Sequence, residues 1–237
     1  MAGIMLGMIL TGYAQQVKDG KGEDNHRPEV TIVNPRNRSS HPLNGRVRYS
    51  IRVSDQEDGE SKYQEIPSGE VFLKVQYVAD TTQVKTKLKQ AAKPDAAGLA
   101  TIKHSNCLNC HEFKSTALGP SFAAISKKYR NRTSYSDTLE QHIREGTSGV
   151  WGSAAMPSHP ELSKQEIHQI VQWIMEQAGD PTVNYYSGTR GTFKLKPSGE
   201  DAVKGTFILT ASYTDHGTKA HPKQTFRGYD TAVIFGK

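Results

Sequence analysis

Residues Cys107-Leu108-Asn109-Cys110-His111 form a C-x-x-C-H run that contains both cysteines of the chain. This pattern is typical of covalent haem attachment, in which the two thiols add to the haem vinyl groups and the adjacent histidine binds the iron. A zinc site would need two further ligands, and a thioredoxin-like pair would need a strand–helix frame that this segment lacks. We therefore predict one covalent haem c held by Cys107, Cys110 and His111, with no disulfide.

A methionine further along the chain is the candidate for the second axial ligand. Met156 lies 156 − 111 = 45 residues after His111, in the loop Val150-Trp151-Gly152-Ser153-Ala154-Ala155-Met156-Pro157. This loop is rich in small residues, so Met156 is not on an apolar helix face, where methionine is ordinary core. A His/Met pair raises the potential of haem iron and suits electron transfer. Met175, the competitor, lies in a helical apolar pattern and is interpreted as core or surface.

Further motifs accompany these ligands, and together they resemble a class I c-type cytochrome domain of the small bacterial kind. The resemblance covers residues 93–179, roughly a third of the chain, and implies an all-α haem domain. Besides the C-x-x-C-H run and Met156-Pro157, it is carried by Leu118-Gly119-Pro120-Ser121-Phe122, Lys128-Tyr129 and Gly149-Val150-Trp151-Gly152.

The resemblance also implies roles for residues around the haem. The Pro120 carbonyl would bind the second ring nitrogen of His111 and orient the imidazole. Trp151 would pack beside the haem edge and reach a propionate, with Tyr129 as a weaker candidate for the same wall. Ser158 stands where many relatives carry a second proline, a departure that affects the stiffness of the loop and not the ligation.

Local signals predict two helices of this domain. Asp95 is a candidate cap for a helix over 96–106, in which Gly98 costs stability unless another element approaches closely. The resemblance implies that an aromatic residue of the last helix, Trp173, crosses at Gly98. That last helix begins with Ser163-Lys164-Gln165-Glu166, which matches a capping box.

The flanks of this domain, residues 28–84 and 183–237, have strand patterns. Apolar and polar residues alternate over several segments, which predicts antiparallel strands with one buried face. Neither flank has enough strands to close a sandwich by itself, whereas together they supply six or seven. The clearest alternation places four residues of the first flank on one face, namely Val47, Tyr49, Ile51 and Val53.

Three segments of the flanks resemble parts of one bacterial immunoglobulin-like repeat. They are Pro28-Glu29-Val30-Thr31-Ile32, Val53-Ser54-Asp55-Gln56-Glu57-Asp58-Gly59 and Gly205-Thr206-Phe207-Ile208-Leu209-Thr210-Ala211-Ser212-Tyr213-Thr214-Asp215. The fold class we predict is multi-domain α and β: an all-α class I cytochrome c domain inserted in, or flanked by, an immunoglobulin-like antiparallel β-sandwich. Two small β-modules, one on each side of the haem domain, are the alternative.

The N-terminal residues predict export. Residues 1–14 resemble a signal peptide, with an apolar run over 2–10 and small residues near Ala14, although no basic residue precedes Lys18. The run is too short to cross a bilayer as a permanent helix, and no other segment of the sequence could do so. Residues 15–27 are polar and predict a disordered linker. Because haem attachment to C-x-x-C-H takes place outside the cytoplasm, we expect a periplasmic or secreted protein.

The charge of the chain is modestly basic, since 30 lysines and arginines against 24 acidic residues give a formal net charge of +6. No nucleic-acid-binding module is recognisable. The lysines that precede the haem domain form either a solvated linker or a basic rim that steers an acidic redox partner. These residues are Lys85, Lys87, Lys89 and Lys93.

Four acidic residues cluster in a turn of the first flank: Asp55, Glu57, Asp58 and Glu60. Calcium takes oxygen ligands of this kind, and a solvated turn is the competing interpretation. Apart from His111, the other eight histidines of the chain show no metal-ligand spacing and are expected at the surface.

Three functions fit the sequence. The first is an electron carrier, which is not an enzyme; the second is a haem enzyme or gas sensor with an open distal site. The third is a carbohydrate- or partner-binding β-module that carries a redox haem, in which case Tyr185, Tyr186 and Tyr213 would be either core or sugar-stacking residues. Met156 and the single haem motif favour the carrier. The arrangement of the chain also resembles the C-terminal portion of secreted sugar dehydrogenases that use pyrroloquinoline quinone (PQQ), which implies such a dehydrogenase as electron donor.

Overall fold

The computed structural model describes residues 24–197 and 204–237. The signal peptide predicted at 1–14 and most of the linker predicted at 15–27 therefore lie outside the described residues. The last residues of that predicted linker hydrogen-bond to the C-terminal flank. Asn25 Nδ2 donates to Asp215 Oδ2 at 3.1 Å, and Arg27 Nη1 donates to the Arg227 carbonyl at 2.6 Å.

Strands occupy both flanks of the described chain, and helices lie between them. The first flank contains β1 Glu29–Asn34, β2 Ser40–His41, β3 Arg46–Asp55, β4 Gly59–Glu60 and β5 Phe72–Val78. The helical segment contains α1 Val84–Ala91, α2 Ala97–His104, α3 Phe122–Tyr129, α4 Tyr135–Glu145 and α5 Lys164–Trp173, which continues as a π-helical turn, Ile174–Ala178. The second flank contains β6 Val183–Ser187, β7 Arg190–Lys194, β8 Gly205–Thr214 and β9 Arg227–Gly236.

The strands of the two flanks pair with each other in both of the sheets. In the smaller sheet β3 pairs with β1 and β4 of its own flank, and with β7 of the other. The larger sheet has the order β2-β9-β8-β5-β6, so β5 of the first flank lies between β8 and β6 of the second. Among these described strands, every pairing is antiparallel except that of β2 with β9, which is parallel. Each flank thus supplies strands that the other needs for its hydrogen bonds.

A shared hydrophobic core fills the space between the two sheets. The alternation predicted for β3 is confirmed, since Val47, Tyr49, Ile51 and Val53 are all at most 5% exposed. Alternate residues of a strand point to opposite faces of the sheet, so the intervening residues of β3 face outward. The same core includes residues of β5, β7, β8 and β9, such as Leu73, Phe193, Leu209 and Ile234.

The larger sheet is covered on its outer face by the helical segment. Phe72 of β5 and Tyr185 of β6 point away from the sandwich core and join the core of the helices. Phe113 lies against Tyr185, with ring centroids 4.9 Å apart. Burial on both faces also explains why all the central residues of β8 are buried. The alternation of apolar residues in β5 gave no sign of this second, outward contact of Phe72.

The helix α2 differs from its prediction at its first residue. Asp95 does not cap it; the helix begins at Ala97 without a side-chain cap. Asp95 instead receives a hydrogen bond from Lys103 Nζ at 2.8 Å, and the Lys103 side chain is only 7% exposed. A buried ammonium needs a counter-charge more than a helix terminus needs a cap, so the carboxylate pairs with the lysine.

The crossing of α2 with α5 is closer than the sequence implied. A Cβ atom at Gly98 would fall on the carbonyl oxygen of Gln169. The element that crosses Gly98 is therefore the backbone of α5 and not the Trp173 ring, which corrects the expectation. The capping box of α5 is confirmed, since Ser163 and Glu166 hydrogen-bond reciprocally to each other's backbone N–H groups. Within the described ranges, no helix is both long and apolar enough to cross a membrane.

Candidate haem-binding site

The C-x-x-C-H run lies in a tight turn that directly follows α2. Residues 106–109 form a 3-10 helix, and the His111 N–H donates to the Cys107 carbonyl at 2.9 Å. This turn brings Cys107, Cys110 and His111 to the wall of one cavity of about 330 Å³. Burial raises the pKa of the Cys107 thiol, and the Ser105 hydroxyl donates to its Sγ at 3.0 Å.

The imidazole of His111 is held from the side opposite to the cavity. Its Nδ1 lies 2.6 Å from the Pro120 carbonyl oxygen, and a carbonyl can only accept, so Nδ1 carries the proton. Nε2 then keeps its lone pair free for a metal. The Phe122 ring stacks on the imidazole, with centroids 5.4 Å apart. A Cβ at Gly119 would come within 2.8 Å of the His111 ring, so glycine is needed there.

Met156 reaches the same cavity from the other side of the domain. Its loop is pinned by two backbone hydrogen bonds: the Met156 N–H donates to Thr147 at 2.8 Å, and the Thr147 N–H donates to Met156 at 3.0 Å. Gly146, with φ of 79°, turns the chain at the end of α4 so that this pair can form. Met175 lies in the π-helical turn, partly buried against the helical core, and does not line the cavity.

The structure separates the two aromatic residues proposed for the haem edge. Trp151 lines the cavity and is 41% exposed, and Lys128 Nζ lies 4.2 Å from its ring centroid. Tyr129 is 1% exposed in the helical core and does not line the cavity, which corrects its expected position. Phe122 and Ile125 of α3 do line the cavity, whereas Tyr129, one turn further along, lies beyond its wall.

Two further histidines line the cavity, although the sequence predicted them at the surface. His142 lies on α4, and His159 is 5% exposed. The Nδ1 of His159 lies 2.8 Å from Glu161 Oε1, and this hydrogen bond lowers the pKa of the Glu161 carboxyl. The only local signal for His159 was its place three residues after Met156, at the end of the same loop.

The acidic turn of the first flank is organised by its own hydrogen bonds. Asp55 Oδ1 accepts from the backbone N–H groups of Glu57 and Asp58, at 3.0 and 2.8 Å. Asp58 Oδ2 accepts from the Tyr213 hydroxyl at 2.7 Å. Among residues 24–197 and 204–237, no group of three or more His, Cys, Asp or Glu side chains is placed to hold a metal ion. These contacts favour a hydrogen-bonded turn over a calcium site.

The tyrosines considered for sugar stacking lie in hydrophobic clusters. Tyr213 is 1% exposed in the sandwich core. Tyr186 packs against the same core, with its ring centroid 6.1 Å from that of Phe193. Tyr185 packs against Trp173 at the boundary with the helices. Packing of all three rings against other apolar side chains favours a core role over sugar stacking.

The cavity fits a covalently attached haem. Two thiols, one imidazole with a free Nε2 and one thioether line a single cavity whose remaining wall is largely apolar. Thioether and imidazole are the axial ligands of haem proteins that transfer electrons. The absence of a side chain at Gly119 leaves room for the His111 ring. The hydrogen bond to the Pro120 carbonyl orients that ring for a metal.

Comparison with known proteins agrees with this geometry. Residues 94–174 match the family described as cytochrome c oxidase, cbb3-type, subunit III. Cytochrome c-552 of Hydrogenobacter thermophilus is 40% identical over 73 residues, which cover 31% of this chain and 74% of that protein. The chain belongs to the c-type cytochromes. Cytochrome c-551 of Azotobacter vinelandii is 36% identical over 78 residues, which cover 33% of this chain and 94% of that protein.

A solved structure is also similar to the cytochrome. The crystal structure of wild-type cytochrome c552 of Nitrosomonas europaea is 30% identical and covers 32% of this chain and 95% of that one, with a TM-score of 0.32. The family match at 94–174 leaves both β-flanks outside it. Like its relatives, the cytochrome carries one covalent haem c and is an electron-transfer protein and not an enzyme.

Proposed function

We propose that this cytochrome is a periplasmic or secreted carrier of single electrons whose haem iron is held by His111 and Met156. The observation that carries the proposal is that both side chains line one cavity beside Cys107 and Cys110. The imidazole of His111 and the thioether of Met156 would hold the haem iron, which would leave no position for a substrate or a gas. The haem supplies the one-electron couple, and the residues of the chain hold and tune it.

Each of the site residues has a defined task in this proposal. Cys107 and Cys110 anchor the haem covalently, which prevents its loss outside the cell. The Pro120 carbonyl fixes the orientation of His111 and strengthens it as a ligand. The paired backbone bonds of Met156 hold its thioether in place in both oxidation states, which limits reorganisation when an electron moves. Trp151 shields the edge of the cavity from water.

The mouth of the cavity is the surface on which we expect a redox partner to dock. Leu118 is 74% exposed and Trp151 is 41% exposed, so apolar side chains surround the opening. Lys128 lies above Trp151 and adds positive charge at the rim. A partner with an apolar patch and an acidic border complements this surface.

We further propose that the partner is a PQQ-dependent sugar dehydrogenase. The support is the resemblance of the β-flank, haem domain, β-flank arrangement to the C-terminal portion of such enzymes. A reduced quinone cofactor gives up two electrons, whereas one haem accepts one, so two encounters with the cytochrome complete each turnover. The carrier role does not depend on this choice of donor.

The β-structure is proposed to be a single immunoglobulin-like domain into which the haem domain, residues 93–179, is inserted. Its two parts would be residues 28–84 and 183–237. The support is the pairing of β3 with β7 and of β5 with β6 and β8, which joins the two flanks in each sheet. The adjacent ends of β5 and β6 let a complete domain be inserted between them.

Absorption spectroscopy of the haem-loaded cytochrome tests the carrier role. Spectra are recorded for the oxidised protein, the reduced protein and the reduced protein under carbon monoxide. A low-spin spectrum with the long-wavelength sulfur-to-iron band, unchanged by carbon monoxide, is the expected result. A high-spin spectrum, or one that shifts under carbon monoxide, contradicts His111/Met156 ligation and favours an enzyme or sensor.

The choice of donor is tested separately by stopped-flow mixing. The oxidised cytochrome is mixed with a purified PQQ-dependent sugar dehydrogenase that has been reduced with its sugar. We expect haem reduction at a rate that falls as the salt concentration rises, because Lys128 lies at the docking rim. A cytochrome that passes the spectroscopic test but is not reduced here retains the carrier role and loses this donor.

A further inference from the structure

The outer face of the smaller sheet carries an array of basic side chains. On β3, Arg46, Arg48 and Arg52 are exposed and alternate with the buried residues of the core. On β7, Arg190 and Lys194 are exposed, and the register places both on the same face as the arginines of β3. These five residues form the basic face.

The five cations of the basic face are not neutralised by ion pairs. Within the described ranges, none of its five side chains takes part in an ion pair. The smaller sheet has three acidic residues: Asp55, on the core side of β3, is 7% exposed, whereas Glu29 and Glu60 are both paired in register with Ser54. The last two lie beside Arg52 at one end of the basic face, and Glu60 is bound by Lys62. The basic face thus carries five positive charges, nearly as many as the formal net charge of +6 for the whole chain.

The arrangement of these charges is unfavourable for folding. Arg46 lies directly opposite Lys194 in the register, and like charges in that relation destabilise a sheet. Serine or threonine would suit a solvated strand position without this repulsion, as Thr192 and Ser50 show on the same face. A negatively charged ligand would relieve the repulsion, and this points to a binding surface.

The basic face is turned away from the haem. The helical segment packs on the outer face of the other sheet, through Phe72 and Tyr185. Two packed sheets, about 10 Å apart, therefore separate the basic face from the helical domain. A molecule bound there is too far from the haem to exchange electrons with it directly, so its role is attachment and not redox chemistry.

We propose that the basic face binds an extended acidic polysaccharide, such as a polymer of uronic acids. Outward side chains repeat every ~6.8 Å along a strand and every ~4.8 Å across strands, which suits a chain of regularly spaced carboxylates. Guanidinium groups bind carboxylates in two-pronged fashion. The cytochrome would thereby be retained on an acidic extracellular polymer while the mouth of its haem cavity stays free for the redox partner.

Other anionic ligands fit this face less well. Of the large apolar side chains on β1, β3 and β7, only Val33 is exposed, so little apolar area could enter a membrane. The exposed positions of these strands carry no aromatic ring on which nucleic-acid bases could stack. Charges repeated along two paired strands are suited to an extended polymer.

Affinity electrophoresis of the haem-loaded cytochrome in native gels that contain polygalacturonate tests the proposal. The variant Arg46→Gln/Arg48→Gln/Arg190→Gln removes three charges from the basic face. The matched control, Lys85→Gln/Lys89→Gln/Lys93→Gln, removes three exposed lysines that form no ion pair with any residue the structure describes. Unchanged haem spectra and melting temperatures at or above that of the wild type confirm that both variants are folded.

We expect wild type and control to be retarded to within about threefold of each other, and the basic-face variant to bind at least about tenfold more weakly. Binding should also weaken steeply with salt. The proposal is overturned if the wild type is not retarded, or if both variants lose affinity equally, since net charge alone would then explain the binding. It is also overturned if phosphatidylglycerol vesicles bind the wild type more tightly than polygalacturonate does.

Discussion

The hydrogen bond from His111 Nδ1 to the Pro120 carbonyl shows how one residue determines which atom of another can bind a metal. By fixing the proton on Nδ1, it leaves Nε2 as the only ring nitrogen that can bind a metal. Gly119 is required for the same reason, since a side chain there would strike the ring. Two neighbouring residues, Gly119 and Pro120, thus prepare one ligand, His111.

Replacing the proposed distal ligand tests the other side of the cavity. For Met156→Ala we expect the sulfur-to-iron band to disappear, carbon monoxide to bind the reduced haem, and the reduction potential to fall by on the order of 0.1 V. Met175→Ala is the matched control, because Met175 lies outside the cavity wall. Absorption spectra and a redox titration measure both. If Met175→Ala, and not Met156→Ala, removes the band, the ligand has been misassigned.

Residues of the site differ in how well the sequence predicts them. Cys107, Cys110 and His111 are adjacent in the chain, so their spacing alone identifies the chemistry. His159 gave no such signal, because its burial depends on how the loop after Met156 folds back onto α4; its N–H donates to the Ile143 carbonyl at 3.0 Å.

At the scale of elements, the crossing of α2 and α5 governs the helical domain. The two backbones touch at Gly98 and Gln169, a separation that only glycine allows. The helices are also the elements that carry the C-x-x-C-H turn and close the core. A change in their spacing would therefore displace the haem ligands.

Gly98→Ala is expected to destabilise the cytochrome by about 2–3 kcal/mol, because the added methyl group overlaps the α5 backbone and the helices must separate. Thermal and denaturant unfolding of the haem-loaded protein measures the effect. Gly69→Ala is the control, since nothing lies within 4 Å of the added atom there, and we expect a change within ~0.5 kcal/mol. Equal stability of Gly98→Ala and wild type would mean that the crossing is wider than the structure shows.

At the scale of the whole molecule, a charged cluster joins the sandwich to the haem domain. Lys103 of α2 lies 4.5 Å from the ring centroid of Phe72 on β5 and pairs with Asp95, which also lies 3.7 Å from Arg227 Nε of β9. Burial alone would raise the pKa of Asp95, but the charges of Lys103 and Arg227 outweigh it and hold that pKa below its ordinary value.

Asp95→Asn should therefore cost about 3 kcal/mol of unfolding free energy at neutral pH, because it leaves Lys103 buried without its counter-charge. The pKa of Asp95 is lower in the folded than in the unfolded state, so its contribution is complete above the ordinary value of 3.8. That contribution is lost as the pH falls below 3.8.

Unfolding titrations of wild type and variant between pH 3 and pH 7 measure this difference. The difference in unfolding free energy between wild type and Asp95→Asn should become smaller at acid pH. Asp137 is exposed and has no ion pair among residues 24–197 and 204–237. Asp137→Asn is therefore expected to change stability by less than ~0.5 kcal/mol at any pH. If that difference does not change with pH, the charge of the Asp95 carboxylate is not what stabilises the contact between the sandwich and the haem domain.

The proposal of an inserted haem domain is tested with fragments. A fragment of residues 93–179 should fold and take up haem, though with a lower melting temperature than in the whole chain, because Phe72 and Tyr185 no longer cover its core. Residues 28–84 and 183–237 should remain unfolded separately and form β-structure when mixed, as circular dichroism would show. Independent folding of residues 28–84 would mean two separate β-modules.

The sequence by itself determined the covalent attachment of haem at the C-x-x-C-H run, the capping box at Ser163 and the buried face of β3. Each of these is encoded by residues within one turn or one strand of each other, so local spacing is enough. Only the tertiary structure decided that β3 pairs with β7, more than a hundred residues away, and that Phe72 packs outward onto the haem domain. Such contacts depend on which distant surfaces bury the most apolar area together, and no local periodicity records that choice. The pairing of Asp95 with Lys103 followed for the same reason, since the lysine needs a counter-charge only once the sheet has covered it.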